Sequence, residues 1–105
     1  MAFEYSAKVN KIIDGDTIDV TLDLGFSLYL SQRVRLAEID APEMRESGGK
    51  DAKEFLKILL PEGSEVTIVT YKNGKEKFGR YLAQVFIGNT DVNQTLLDSG
   101  LVERY

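Results

Sequence analysis

Ile18-Asp19-Val20-Thr21-Leu22-Asp23-Leu24-Gly25 is the stretch whose reading decides the fold. Apolar residues at 18, 20, 22 and 24 alternate with polar ones at 19, 21 and 23, the period of a half-buried strand. Gly25 marks a turn. Leu28-Tyr29-Leu30 then begins a return strand that is expected to run through Val34, Leu36 and Ile39, with Arg33 and Arg35 at alternate positions. Two consecutive β-runs around one glycine predict a long hairpin. Upstream, Tyr5, Ala7 and Val9 alternate with polar neighbours, and Ile12-Ile13 lead into a turn at Asp14-Gly15-Asp16.

Downstream, Glu46-Ser47-Gly48-Gly49 breaks the pattern and a helix follows. Its apolar residues Ala52, Phe55, Leu56 and Leu59 fall at helical spacing, and Pro61 closes it. Val66, Ile68 and Thr70 define a fourth strand, Asn73-Gly74 a hairpin turn, and residues from about Tyr81 to Ile87 a fifth strand. Asp91 is placed to cap a short helix that Ser99-Gly100 ends. The order β-β-β-α-β-β-α, mostly β with α, is that of a five-stranded OB-type Greek-key barrel. Residues 1–105 read as one such domain, with no repeat, low-complexity tract or linker.

Composition narrows the chemistry. Hydrophobic residues make up 43% and charged residues 29%, ordinary for a soluble globular protein. No apolar run approaches a membrane span, so no membrane partner is expected. Met1-Ala2-Phe3-Glu4-Tyr5-Ser6 lacks the basic-then-apolar pattern of a signal peptide, which predicts a cytoplasmic protein unless a leader precedes it. Cys and His are both absent. Thiolate metal sites and imidazole catalysis are thereby excluded, and acid–base work falls to carboxylates, Lys, Tyr or water. The net charge of −4 counts against a high-affinity nucleic-acid-binding module. It counts less against a nuclease, which needs a local positive site and fast release.

Three short clusters carry candidate chemistry. Asp14-Gly15-Asp16-Thr17 joins the first two strands. One reading is a plain Asp-Gly turn; the other is that Asp16 points a hard-cation ligand into the barrel mouth, with Asp14 orienting water or backbone behind it. Asp40-Ala41-Pro42-Glu43 ends the third strand. It is either an acidic surface loop or a second set of ligands, with the Asp40 carboxylate and the Ala41 carbonyl on the metal. In that second case Glu43 stands one water further out, where it orients or deprotonates the attacking water. Arg35 is by default a solvated strand residue; beside two carboxylates it becomes a bidentate phosphate contact that stabilises transition-state charge. Arg80, at the start of the fifth strand, is the second such contact. Lys72, Lys75 and Lys77 either blunt an exposed hairpin or track a polynucleotide backbone.

Ile13-Asp14-Gly15-Asp16-Thr17, Arg35 through Glu43, and Lys77-Phe78-Gly79-Arg80 together resemble the signatures of staphylococcal (thermo)nuclease-like proteins. Val92-Asn93, with Leu96 and Ser99-Gly100-Leu101-Val102 behind it, resembles the family's next helix. The likeness runs from about Ala7 to Val102. It implies an OB-barrel endonuclease that depends on Ca²⁺, acts on DNA and RNA with little sequence specificity and leaves 3′-phosphate ends. It further implies Asp16, Asp40 and the Ala41 carbonyl as calcium ligands, and Glu43 as base. Arg35 and Arg80 would hold the scissile phosphate, with Lys77 near a terminal phosphate and Phe78 beside the nucleotide. A monomer is expected.

The chain also departs from the family pattern. Ala41 stands where Thr is familiar, and Phe78 replaces the usual Tyr, losing a hydrogen bond to phosphate but keeping the ring. The segment between Asp16 and Arg35 is longer, so the hairpin should project further. Met44 to Lys50 is shorter, and the family's C-terminal helix is not found before Tyr105. Two other readings compete with the nuclease. A non-catalytic nucleic-acid- or protein-binding module would bind without metal and tolerate changes at Glu43 or Arg35. A structural barrel would require all four motifs to be coincidental.

Overall fold

The alternation from Ile18 to Leu22 produces strand β2, Thr17–Asp23, with Ile18, Val20 and Leu22 buried and Asp19 and Thr21 on the outer face. The computed structural model describes residues 2–71 and 81–105. In chain order its elements are β1 (Ala2–Asp14), β2, β3 (Tyr29–Leu36), β4 (Ile39–Asp40), α1 (Gly49–Leu59), β5 (Glu65–Tyr71), β6 (Tyr81–Ile87), β7 (Thr90–Asp91), α2 (Val92–Ser99) and β8 (Glu103–Arg104).

β1 is long enough to pair with β2 on one side and β5 on the other. Its register with β2 shifts between Val9 and Lys11 and again between Ile12 and Asp14. Each irregularity bends the strand and tightens its twist, which lets one strand serve two sides of a barrel. β2 pairs with β3, β5 with β6, and a three-residue parallel seam, Val34–Leu36 with Tyr81–Ala83, closes the circle. The result is the closed five-stranded OB barrel expected from the element order. Its interior is filled by fully buried side chains such as Val9, Ile18, Val20, Leu36, Ile68 and Val85.

The two helices seal the barrel. α1 turns Ala52 and Leu56 to the core, and its axis ends where Leu60 donates to the Leu56 carbonyl just before Pro61. α2 begins as expected: the Asp91 carboxylate caps the Gln94 N–H at 3.1 Å. It ends where Gly100 takes a left-handed conformation, φ 77°.

One expectation is corrected. The third strand does not run unbroken to Ile39; β3 stops at Leu36, and Ala37-Glu38 form a turn with Glu38 at φ 65°. The Ala37 N–H donates to the Ala83 carbonyl, and the Asn93 amide donates to the Ala37 carbonyl. Those two bonds redirect the chain, and Ile39-Asp40 pair instead with Arg104 and Glu103. Asn73-Gly74, Lys72, Lys75, Lys77, Phe78 and Arg80 lie outside the described residues.

Candidate active site

Three elements meet at one end of the barrel: the β1–β2 turn, the β3–β4 turn and the loop that follows β4. Small residues make the meeting close. A Cβ built on Gly15 would lie 2.7 Å from the Ala52 Cβ and 2.8 Å from the Ala41 Cβ, so only glycine lets the turn seat against both α1 and the loop. The Leu36 N–H then donates to the Asp16 carbonyl at 2.8 Å, tying the β1–β2 turn to the end of β3.

Asp16 is the best-held carboxylate of the site. Its Oδ2 accepts the Ala41 N–H at 3.0 Å and its Oδ1 accepts the Thr17 hydroxyl at 2.9 Å. Its own N–H donates to Asp14 Oδ1 at 3.0 Å. Burial pushes the Asp16 pKa up, but the contacts from Asp14, Ala41 and Thr17 and the charge of Arg35 outweigh it. Asp16 is held below the ordinary aspartate range. Asp14 is displaced the other way: burial first, then its contact with Asp16, raises its pKa. Of the two neighbours, Asp16 is the more readily ionised.

Arg35 stands between two carboxylates. Its Nη2 lies 3.1 Å from Asp40 Oδ1, 3.5 Å from Asp16 Oδ2, and 3.2 Å from the Ile39 carbonyl to which it donates. The residue is only 9% exposed, so the default of a solvated strand arginine does not hold. Strand alternation alone misjudges it, because Val34, Arg35 and Leu36 are all buried where β3 is flanked by β2 and β6. The Tyr105 ring lies over the guanidinium, 5.0 Å from carbon to centroid, and the Tyr105 N–H donates to the Glu38 carbonyl. Among the described residues, the polar contacts of Arg35 all run through Nη2, leaving Nε and Nη1 for a ligand.

The structure therefore brings together Asp14, Asp16, Arg35, Asp40 and Ala41. Glu43 follows two residues later, but its side chain is 62% exposed and its Oε2 pairs with Arg45 Nε at 2.9 Å. Its backbone N–H donates to Glu46 Oε1, in the same loop, at 3.2 Å. The expected phosphate and nucleotide contacts Arg80, Lys77 and Phe78 lie outside the described residues. Sequence reading missed the roles of Arg45 and Thr17, and also Asn93. Asn93 is 3% exposed; it accepts the Val85 N–H and donates to the Ala37 and Ala83 carbonyls, fixing the turn that delivers Asp40. A polar residue between Val92 and the apolar Leu96 on a short helix was the available signal.

The donor set fits a hard cation in kind. Asp16 and Asp40 offer carboxylate oxygens within 3.5 Å of one cationic nitrogen, and the Ala41 backbone adjoins them. No three carboxylates converge among the described residues, so an ion here would complete its shell with carbonyl oxygen and water.

Comparison with known proteins assigns the class. Residues 33–105, a span containing Arg35, Asp40 and Glu43, match the family described as staphylococcal nuclease homologue. The chain belongs to that family. It is 34% identical to the thermonuclease of Staphylococcus hyicus over 106 residues, covering 95% of this chain and 59% of that protein. It is 32% identical to an uncharacterized endonuclease of Escherichia coli O157:H7 over 98 residues, 92% of this chain and 59% of the relative. Endonuclease YhcR of Bacillus subtilis (strain 168) is 29% identical over 114 residues, 97% of this chain but 9% of its own length. The chain spans at most about three-fifths of these relatives.

Proposed function

We propose that this domain is an endonuclease that hydrolyses phosphodiester bonds of DNA or RNA with little sequence preference, assisted by Ca²⁺ and leaving 3′-phosphate ends. The observation that carries the reading is the buried Arg35 held between Asp16 and Asp40 at the barrel mouth. A cation anchored by two carboxylates, beside a site that also binds one, is an arrangement suited to a phosphate diester. Family membership and the names of the relatives support it.

In this reading Asp16, Asp40 and the Ala41 carbonyl hold the cation, which when bound polarises a phosphoryl oxygen and offsets developing charge. Arg35 directs Nε and Nη1 at the scissile phosphate and Arg80 supplies a second contact, with Lys77 and Phe78 flanking the nucleotide. Asp14 holds the Asp16 backbone in place. Glu43 takes a proton from the water that attacks phosphorus. The new O–P bond forms as the P–O5′ bond breaks, the 5′ oxygen takes a proton from solvent water, and the phosphate stays on the 3′ side. Glu43 must turn from Arg45 to do this. An exposed ion pair contributes no more than about 1 kcal/mol, so that rotation is cheap.

The outward Glu43 favours a second reading, a binding module without catalysis. Cleavage of single-stranded DNA with Ca²⁺, with Mg²⁺ and with EDTA, beside Glu43→Gln and Arg35→Lys, separates them. The nuclease reading expects calcium-dependent cleavage lost in both variants. Nucleic-acid binding that survives EDTA, with no cleavage by the folded protein, refutes it.

A further inference from the structure

Three of the groups that hold the Arg35 guanidinium converge on a single atom. Nη2 donates to the Ile39 carbonyl at 3.2 Å and to Asp40 Oδ1 at 3.1 Å, and it lies 3.5 Å from Asp16 Oδ2. A planar group fixed at one nitrogen can still roll about that point. Carboxylates this near favour a roll into the forked pairing, in which two nitrogens of one arginine engage one carboxylate. That pairing would occupy donors that a phosphate contact needs. Yet among the described residues Nη2 alone is engaged.

The remaining neighbour is the Tyr105 ring, with the guanidinium carbon 5.0 Å from its centroid. The negative face of an aromatic ring attracts the cation, and a flat guanidinium set over it loses freedom to roll. Tyr105 is 74% exposed, so the ring meets Arg35 without entering the core.

Backbone bonds fix where that ring sits. The Tyr105 N–H donates to the carbonyl of Glu38, the left-handed residue of the β3–β4 turn, at 2.9 Å. Just before it, Arg104 pairs with Ile39 and Glu103 with Asp40. The ring therefore continues the same two-stranded unit, β4 with β8, that supplies the Ile39 carbonyl and the Asp40 carboxylate. One unit holds the arginine of β3 both at its tip and on its face.

We infer that Tyr105 is a positioning residue for Arg35, its ring holding the guanidinium plane so that Nε and Nη1 are kept from the neighbouring carboxylates and presented to a phosphate diester. Resting on the phosphodiester reading of the site, this role makes Tyr105 act through Arg35 and not on the substrate. The hydroxyl has no part in it. Phe serves as well as Tyr at this position, and an aliphatic side chain does not.

Tyr105→Phe and Tyr105→Leu test this. In ¹H–¹⁵N spectra of the metal-free protein, the Arg35 side-chain signals should carry a ring-current displacement that Tyr105→Phe keeps and Tyr105→Leu loses. In cleavage of single-stranded DNA with Ca²⁺, Tyr105→Leu should lower kcat/KM about 5- to 30-fold, the loss of one cation–π contact, and Tyr105→Phe should restore the wild-type value. Binding of the same DNA in EDTA should weaken in Tyr105→Leu alone. That arm needs no catalysis: a wild type that binds without cleaving sinks the nuclease reading, and the binding arm still decides the role of Tyr105. Arg35 signals that are the same in all three proteins overturn the inference, even if Tyr105→Leu binds DNA poorly, because the ring then acts on the substrate itself. A Phe variant as impaired as the Leu variant also overturns it, since the hydroxyl would then carry the effect. So does a Leu variant with wild-type cleavage and affinity.

Discussion

Gly49→Ala should separate the placement of Glu43 from the rest of the site. A Cβ built on Gly49 lies 2.1 Å from the Glu43 carbonyl oxygen, 2.8 Å from its carbon and 2.9 Å from Met44 Cα. All three are backbone atoms, so no rotamer change relieves the overlap. Ordinary contact requires a gap larger by roughly 1 Å, and one of two bodies must yield. α1 cannot: Ala52 and Leu56 are wholly buried, and Ala52 already sits against Gly15. The loop can, because it is held mainly by its own turn, with Glu46 N–H donating to the Glu43 carbonyl and Gly49 N–H to the Glu46 carbonyl.

The shift therefore falls on Glu43, while Asp16, Arg35 and Asp40 stay where the β1–β2 turn, β3 and β4 hold them. A 1 Å displacement of a group that must meet an attacking water costs about 100-fold in rate. Overpacking of this kind costs about 1–3 kcal/mol in stability. The expected result is kcat/KM on an oligonucleotide down about two orders of magnitude, with urea denaturation showing a moderate loss. Affinity for a non-hydrolysable nucleotide should hardly change. Gly63→Ala is the control, since Gly63 has φ 86° but open space around its Cβ position. It should lose about 1 kcal/mol through backbone strain and keep full activity. Wild-type cleavage and stability in Gly49→Ala would refute the close-approach argument.

Asn93→Ala removes both amide bonds to the Ala37 and Ala83 carbonyls and strands the buried Val85 N–H. Urea denaturation should show a loss of about 2–4 kcal/mol, more than one exposed hydrogen bond accounts for. The acid limb of stability should depend on Asp16. Its folded pKa lies below the ordinary value, so its contribution is present above the unfolded pKa and is lost as pH falls through the folded one. Denaturation of Asp16→Asn across acidic pH should give a shallower limb than the wild type. Asp14 has the opposite sign: its raised pKa means that ionisation on going to higher pH works against the fold. Asp14→Asn should therefore match or exceed wild-type stability near neutrality, because an amide oxygen can still accept the Asp16 N–H.

Period-two alternation locates β2 and β3 because one face of each is buried, and helical spacing locates α1 for the same reason. The Asp91 cap and Gly100 stop are local signals, which is why α2 is legible to the residue. The break at Ala37-Glu38 is not local. It depends on bonds from Ala83 and Asn93, far away in the chain, and nothing in Arg35 through Asp40 announces it. The burial of Arg35 is hidden for a related reason: its solvent face is closed by a strand and a ring that arrive much later. The acidic turns, by contrast, are visible as motifs, although only the fold brings Asp16 within reach of Ala41.

The seam that closes the barrel has a consequence for when the site comes into being. Hairpins such as β1–β2 and β2–β3 join neighbours in sequence and form early, whereas pairing Val34 with Tyr81 requires closing a long loop. Arg35 sits on that late seam, opposite Leu82. The arginine is thus buried only once that long-range pairing is in place. A chain with its hairpins formed but its barrel still open holds the acidic turns without the cation between them.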